Sequence, residues 1–198
     1  MVTGWAQALD LLAHDRRAAL DSFRMAIESG DQQLAAEPSN TAARGSLSNA
    51  EALVGETLST SDFPEALIHL RRALDLAEAL PIASATARRL IDALLRLGLA
   101  EAHAGHFDMA RSHLERCLQL SLTLWPEARE DLRSFAYIAM SYEATGDLER
   151  LSRNAEAACG AYRKGWETWQ EWPRVGVSSF YDREHAAKVS ATLASCGR

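Results

Sequence analysis

Strand formers are scarce in this 198-residue chain: five valines and five isoleucines stand against 36 alanines and 27 leucines. That ratio argues against a sheet-based fold and leaves helices. Lysine is nearly absent, occurring only as Lys164 and Lys188, and 27 acidic residues outnumber 21 basic ones for a net charge of −6. A surface of that sign does not suit phosphate backbones or anionic lipid, so neither nucleic acid nor membrane is expected as a partner. Cysteine occurs three times, as Cys117, Cys159 and Cys196, with no CxxC pair and no even framework, so a disulfide scaffold is not expected. No apolar run approaches the roughly 18 residues that span a bilayer. The stretch MVTGWAQALDLLAHDRR carries Asp10 inside its apolar part and its basic pair after it, the reverse of a secretory signal, and a cytoplasmic location is the expectation. Missing too are G-x-S-x-G, G-x-x-x-x-G-K-[ST] and any glycine-rich loop after a strand, so no catalysis and no cofactor are expected.

What is present is an all-α pattern of a length suited to one domain, and it repeats. Segment 94–120, LLRLGLAEAHAGHFDMARSHLERCLQL, reads as two helices meeting at Ala104-Gly105-His106, where glycine caps the first and Asp108 favours the start of the second. Leu94, Leu97, Gly98, Ala110, Leu114 and Cys117 recur at three- and four-residue spacing and mark the face on which the two helices meet. The small Gly98 and Ala110 allow close approach while leucines fill the space around them. A second copy is FAYIAMSYEATGDLERLSRNAEAA, with Phe135, Ile138, Ala139 and Tyr142 in its first helix and Thr145-Gly146-Asp147-Leu148 as its turn. A third is NAEALVGETLSTSDFPEALIHLRRALDL, with Leu53-Val54 in the place of Leu97-Gly98 and Pro64 in the first turn of its second helix, where a missing N–H costs little.

These patterns resemble the tetratricopeptide repeat, W-x2-L-G-x2-Y followed by A-x3-F and P: Leu97-Gly98 matches the central dipeptide and Ala110-x3-Leu114 the second-helix pair. Leu94 replaces the tryptophan and Glu101 the tyrosine, and Phe63, Phe107 and Leu148 lie 44 and 41 residues apart, longer than the usual 34. The resemblance implies a right-handed superhelix of antiparallel helix pairs: a degenerate pair at 1–37, with a short helix over 3–13, repeats at 46–80, 88–125 and 131–172, and a capping helix at 179–196. Gln33–Arg44 reads as a loop, 147–172 as one long helix ended by Pro173, Pro126 as a further stop, and Arg174–Ser178 as a loop. In the last helix Tyr181, His185, Val189 and Leu193 share a face that covers the final pair.

The resemblance also implies a concave groove for an extended peptide or a partner helix. Its lining would be Ser48, Glu51, Gly55 and Ser59, then Asp92, Leu95, Arg96, Leu99 and His103, then Arg133, Ala136, Tyr137 and Met140. The family's carboxylate clamp uses Lys and Asn where Glu51 and Gly55 stand, so that activity is not expected. The chain is read as a non-catalytic scaffold that binds a protein or peptide, as a monomer or weak dimer. The alternative is a regulatory or sensor module of a bacterial signalling system, since AYRKGWETWQEWP resembles the tails closing helical-repeat regions of bacterial Ser/Thr kinases. Glu101, His103, His106, Asp108 and His113 crowd one repeat, but the Gly105 turn separates His103 from His106 and no metal is expected. Cys117 and Cys159 read as buried, inert thiols. The i, i+4 pairs Asp92 and Arg96, Arg71 and Asp75, and Arg111 and Glu115 read as solvated helix ladders. Among the aromatics from Tyr162 to Tyr181, Trp166 and Trp169 read as packing, with Trp172 or Tyr181 left as a partner contact.

Overall fold

The computed structural model describes residues 16–81, 84–124, 132–172 and 179–196. Among the described residues there are eight helices and no strand: α1 (Arg16–Ala36), α2 (Thr41–Leu58), α3 (Phe63–Glu78), α4 (Ser84–His103), α5 (Phe107–Leu124), α6 (Leu132–Leu151), α7 (Ala155–Glu171) and α8 (Phe180–Leu193). The chain is an all-α helical-repeat protein, as its composition requires. The expected helix over 3–13, the stops at Pro126 and Pro173 and the loop Arg174–Ser178 lie outside the described residues. Helices α1–α3 form one unit and α4–α8 another.

In the first unit α2 packs against both α1 and α3. Twelve of its 18 residues are buried, which accounts for its run of Ala, Gly and Ser. Phe23 and Ala19 of α1 meet Leu53, Val54 and Leu58 of α2 and Ala66 of α3 in one apolar cluster. The loop expected over 33–44 is shorter: α1 stays helical through Ala36, and Asn40 opens α2 by accepting the Ala43 N–H at 2.9 Å. Asp62 does the same for α3, accepting from Glu65 N–H at 3.2 Å, with Pro64 in the first turn as expected. A Cβ on Gly55 would stand 2.5 Å from Leu70 Cγ and 2.9 Å from the Ala66 carbonyl oxygen. Gly55 is therefore the seam residue, and the dipeptide of this pair is Val54-Gly55 rather than Leu53-Val54.

In the second unit α4 pairs with α5 and α6 with α7, while α5 and α4 both rest on α6. Gly98 faces Leu114, where an added Cβ would come within 2.8 Å of the leucine side chain, so this seam is the expected one. Gly105 ends α4 at φ +82°, and the His106 N–H reaches back to the Glu101 carbonyl at 2.9 Å. The next turn departs from expectation. Helix α6 runs unbroken through Thr145-Gly146-Asp147-Leu148 to Leu151, so 147–172 is not one helix. The reversal comes at Ser152–Asn154, where Arg153 takes φ +65° and Asn154 caps α7 through Ala157 N–H. Gly146 is needed for closeness, not for a turn: a Cβ there would stand 2.6 Å from the Tyr162 ring.

The cysteines divide. Cys117 is fully buried, with its Sγ 3.5 Å from the Ile91 carbonyl and 3.2 Å from Ser141 Oγ, and burial pushes its thiol up to about 12. It is the inert thiol expected. Cys159 is not: it forms a disulfide with Cys196, joining α7 to the residue three beyond the end of α8. Spacing along the chain carried no sign of this, because the two cysteines meet only once α8 lies along α7.

Candidate functional site

The site grows from one face shared by α4, α6 and α8. Asp92 and Arg96 are one turn apart on α4, and Arg96 Nε donates to Asp92 Oδ2 at 2.8 Å. Their side chains are only 20% and 18% exposed, so this pair is an enclosed one and not a solvated ladder. Helix α6 adds Tyr137, whose hydroxyl donates to Asp92 Oδ1 at 3.4 Å and whose carbonyl accepts from Ser141 Oγ at 2.6 Å. Helix α8 adds Tyr181, whose hydroxyl points at Met140 Sδ across 3.4 Å. Four of the residues expected in the groove, Asp92, Arg96, Tyr137 and Met140, thus stand together.

Behind Tyr181 lies an aromatic stack. Its ring centroid is 4.4 Å from that of His185, which in turn lies 5.4 Å from Trp169. Trp169 donates through Nε1 to Glu143 Oε1 at 2.6 Å, and Phe135 packs on both Trp169 and Trp172. Trp169 and Trp172 are 2% and 3% exposed, so Trp172 is core and not a partner contact. Phe180 and Tyr181, at 73% and 43%, remain at the surface. Ser179 and Asp182 fix the start of α8 by a reciprocal capping box.

Burial shapes the charges of this face. It raises the Asp92 carboxyl to about 6, against the pull of the Tyr137 hydroxyl, Arg133 and Arg89. It raises Glu143 to about 7, against the Trp169 hydrogen bond and Lys188. The Tyr137 and Tyr181 hydroxyls are likewise pushed up by burial, and the Arg96 guanidinium and His185 imidazole down. Nδ1 of His185 is out of reach of water and makes no hydrogen bond. The groups this face presents are a carboxylate, a guanidinium, two phenol hydroxyls and a thioether, suited to hydrogen bonding and aromatic contact.

The other expected groove residues are placed differently. Leu95 is 3% exposed and belongs to the core, Leu99 is half-buried, and His103 and Arg133 are exposed. Glu51 is fully buried: His69 Nδ1 lies 2.5 Å from one of its oxygens and Arg72 Nη1 2.6 Å from the other. Ser48 donates to the Ala73 carbonyl at 2.8 Å, and with Gly55 against Leu70 these residues hold α2 to α3 and line no open surface. The register slip at Gly55 is the reason. Of the residues weighed as metal ligands, Glu101 is fully buried and paired with His113 Nδ1 at 2.7 Å, while His103, His106 and Asp108 are exposed. Among the described residues no group of three or more His, Cys, Asp or Glu is placed to hold a metal ion. Arg111 pairs with Glu149 of α6, which ties the two hairpins of the second unit together instead of forming a ladder with Glu115. The residues that sequence reasoning left out of the groove are Glu143 and Tyr181. The stripe Tyr181, His185, Val189 and Leu193 was the signal for the second.

Fold and face together define an all-α helical-repeat protein with a part-buried polar and aromatic face on α4, α6 and α8. No protein-family model matches the sequence, and no curated protein matches it. Among solved structures, the chain is similar to the one titled BtubC (BKLC) from P. vanneervenii, at 18% identity and a TM-score of 0.66. The match covers 92% of this chain and 65% of that one, so the chain spans less than two thirds of its neighbour. At that identity the likeness is one of fold. No described helix is long and apolar enough to cross a membrane.

Proposed function

We propose that the chain is a non-catalytic binding module of tetratricopeptide type, which holds a peptide or a partner helix against the α4–α6–α8 face. The observation that carries this reading is the convergence of Asp92, Arg96, Tyr137 and Met140 with Tyr181 from a third helix. Carboxylate, guanidinium and hydroxyl groups there are positioned by one another and still reach solvent, so they can exchange a mutual hydrogen bond for one to a peptide backbone. Tyrosine, methionine and arginine at a pre-formed surface are the types that anchor partners. The module acts in the cytoplasm, as a monomer or weak dimer, and needs no cofactor.

Selection of a displayed random-peptide library on the folded protein, followed by binding titrations of the enriched peptides, tests the proposal. Tyr137→Ala, Met140→Ala and Arg96→Ala are each expected to weaken binding about tenfold or more, the loss of one anchor of roughly 1.4 kcal/mol. Unchanged affinity in all three, with helicity intact by circular dichroism, would remove this face as the site.

A further inference from the structure

Helix α8 has a thin grip on the rest of the second unit. Only Asp182 and Val189 of its 14 residues are buried, and Asp182 is occupied by the capping box. Val189, with half-buried Ala186 and Leu193, supplies its share of the cluster that holds Phe135, Tyr162, Trp169 and Trp172. Tyr181 and His185 add ring contacts on Trp169, and a helix of 14 residues is marginal without such docking. The second hold is covalent, the Cys159–Cys196 bond. Both cysteines are half-buried, and both line an open cavity of about 360 Å³ together with Arg163, Trp166, Glu167 and Leu193. A small thiol can therefore enter, through a wall that carries both the Arg163 guanidinium and the Glu167 carboxylate.

We propose that Cys159–Cys196 is a redox-responsive modification site whose co-reactant is a dithiol, and that opening the bond releases α8 from the α6–α7 hairpin. One thiolate of the dithiol attacks a sulfur of the bond, forming a mixed disulfide and expelling the other cysteine as a thiolate, which takes up a proton. The second thiol of the co-reactant, having lost its proton, then displaces the remaining cysteine. Two electrons pass from the dithiol to the protein: the cysteines end as two thiols and the co-reactant as a cyclic disulfide. Release withdraws Tyr181 from Met140 and His185 from Trp169, so the aromatic cluster becomes wet. The release stands independently of the peptide reading.

The full-length protein, air-oxidised or treated with dithiothreitol, provides the test. Iodoacetamide is expected to label Cys159 and Cys196 only after reduction and to spare buried Cys117 in both states. Hydrogen exchange of the α8 amides is expected to accelerate about tenfold or more on reduction, with α4 and α5 unchanged and tryptophan emission shifted to the red. Cys196→Ser is expected to give the same exchange pattern without reductant. The proposal fails if α8 exchange is the same in oxidised, reduced and Cys196→Ser protein, or if the oxidised sample labels at Cys159 or Cys196. Loss of protection in α4 and α5 alongside α8 also overturns it, since the bond would then hold the whole unit and not one helix.

Discussion

Gly55→Ala and Gly160→Ala add the same methyl group to a helix interior, and they are expected to move stability in opposite directions. In a helix, alanine gains about 1 kcal/mol over glycine. At Gly160 no atom stands within 4 Å of the added Cβ, so the gain is kept. At Gly55 the Cβ would meet Leu70 Cγ at 2.5 Å and the Ala66 carbonyl oxygen at 2.9 Å. Leu70 and Ala66 are both fully buried, and one of the two contacts is backbone, so neither neighbour has space to yield into. Overpacking of this kind costs about 1–3 kcal/mol and more where backbone must shift, which leaves Gly55→Ala destabilised by about 2 kcal/mol net. Gly98→Ala falls between, because its close contacts, Leu114 Cγ and Cδ2 at 2.8 Å, are side chain alone and the nearest backbone atom, the Ala110 carbonyl oxygen, is 3.4 Å away. Urea denaturation followed by far-UV circular dichroism ranks the three. A Gly55→Ala midpoint at or above that of the unsubstituted protein would refute the seam between α2 and α3.

His113→Ala is expected to cost about 3 kcal/mol in the same assay, because it strands the fully buried Glu101 carboxylate, and adding Glu101→Gln should return much of the loss. If the single variant costs nothing, the buried pair has been misplaced. Glu143, with Trp169, Lys188 and Asp147 facing it, binds its proton up to about 7 in the folded chain against 4.5 for an ordinary glutamate. Its stabilising contribution is therefore full below about 4.5 and is lost as pH rises through about 7, on the order of 2 kcal/mol for a half-buried carboxyl. Glu143→Gln should flatten the fall in Tm between pH 5 and pH 8, and an unaltered slope would contradict it.

Much of the helix layout was legible because it rests on local chemistry. Asp62 and Pro64 open α3 and Gly105 closes α4 through interactions within a turn of themselves, which a sequence displays directly. The third turn was misread because Thr145-Gly146-Asp147 has turn composition while its glycine serves tertiary contact. A better signal was present: Gly98, Glu101 and Ala110 recur at the same spacing as Gly146, Glu149 and Ala158. In both copies the glutamate carbonyl accepts the N–H of the residue that follows a left-handed position, Gly105 in one and Arg153 in the other. The disulfide lay beyond reach for a different reason: 37 residues separate its partners, and their meeting depends on where α8 docks.

The candidate site shows why two register errors of unequal size had unequal effects. Matching Gly98 to Ala139 in place of Gly146 displaced the third pair by seven residues, yet Tyr137 and Met140 still stand beside Asp92 and the α8 tyrosine. Seven residues carry a helix about 20° short of two full turns, so the face is kept and only the level along the axis changes. Matching Gly98 to Val54 in place of Gly55 was an error of one residue, or about 100° of rotation. That is enough to carry a surface position into the seam, and Ser48, Glu51 and Gly55 are all found there. A face assigned from a repeat thus survives a slip of a whole heptad and is lost on a slip of one. The burial of Glu51 and the exposure of Glu56 on the same helix follow from the same rotation.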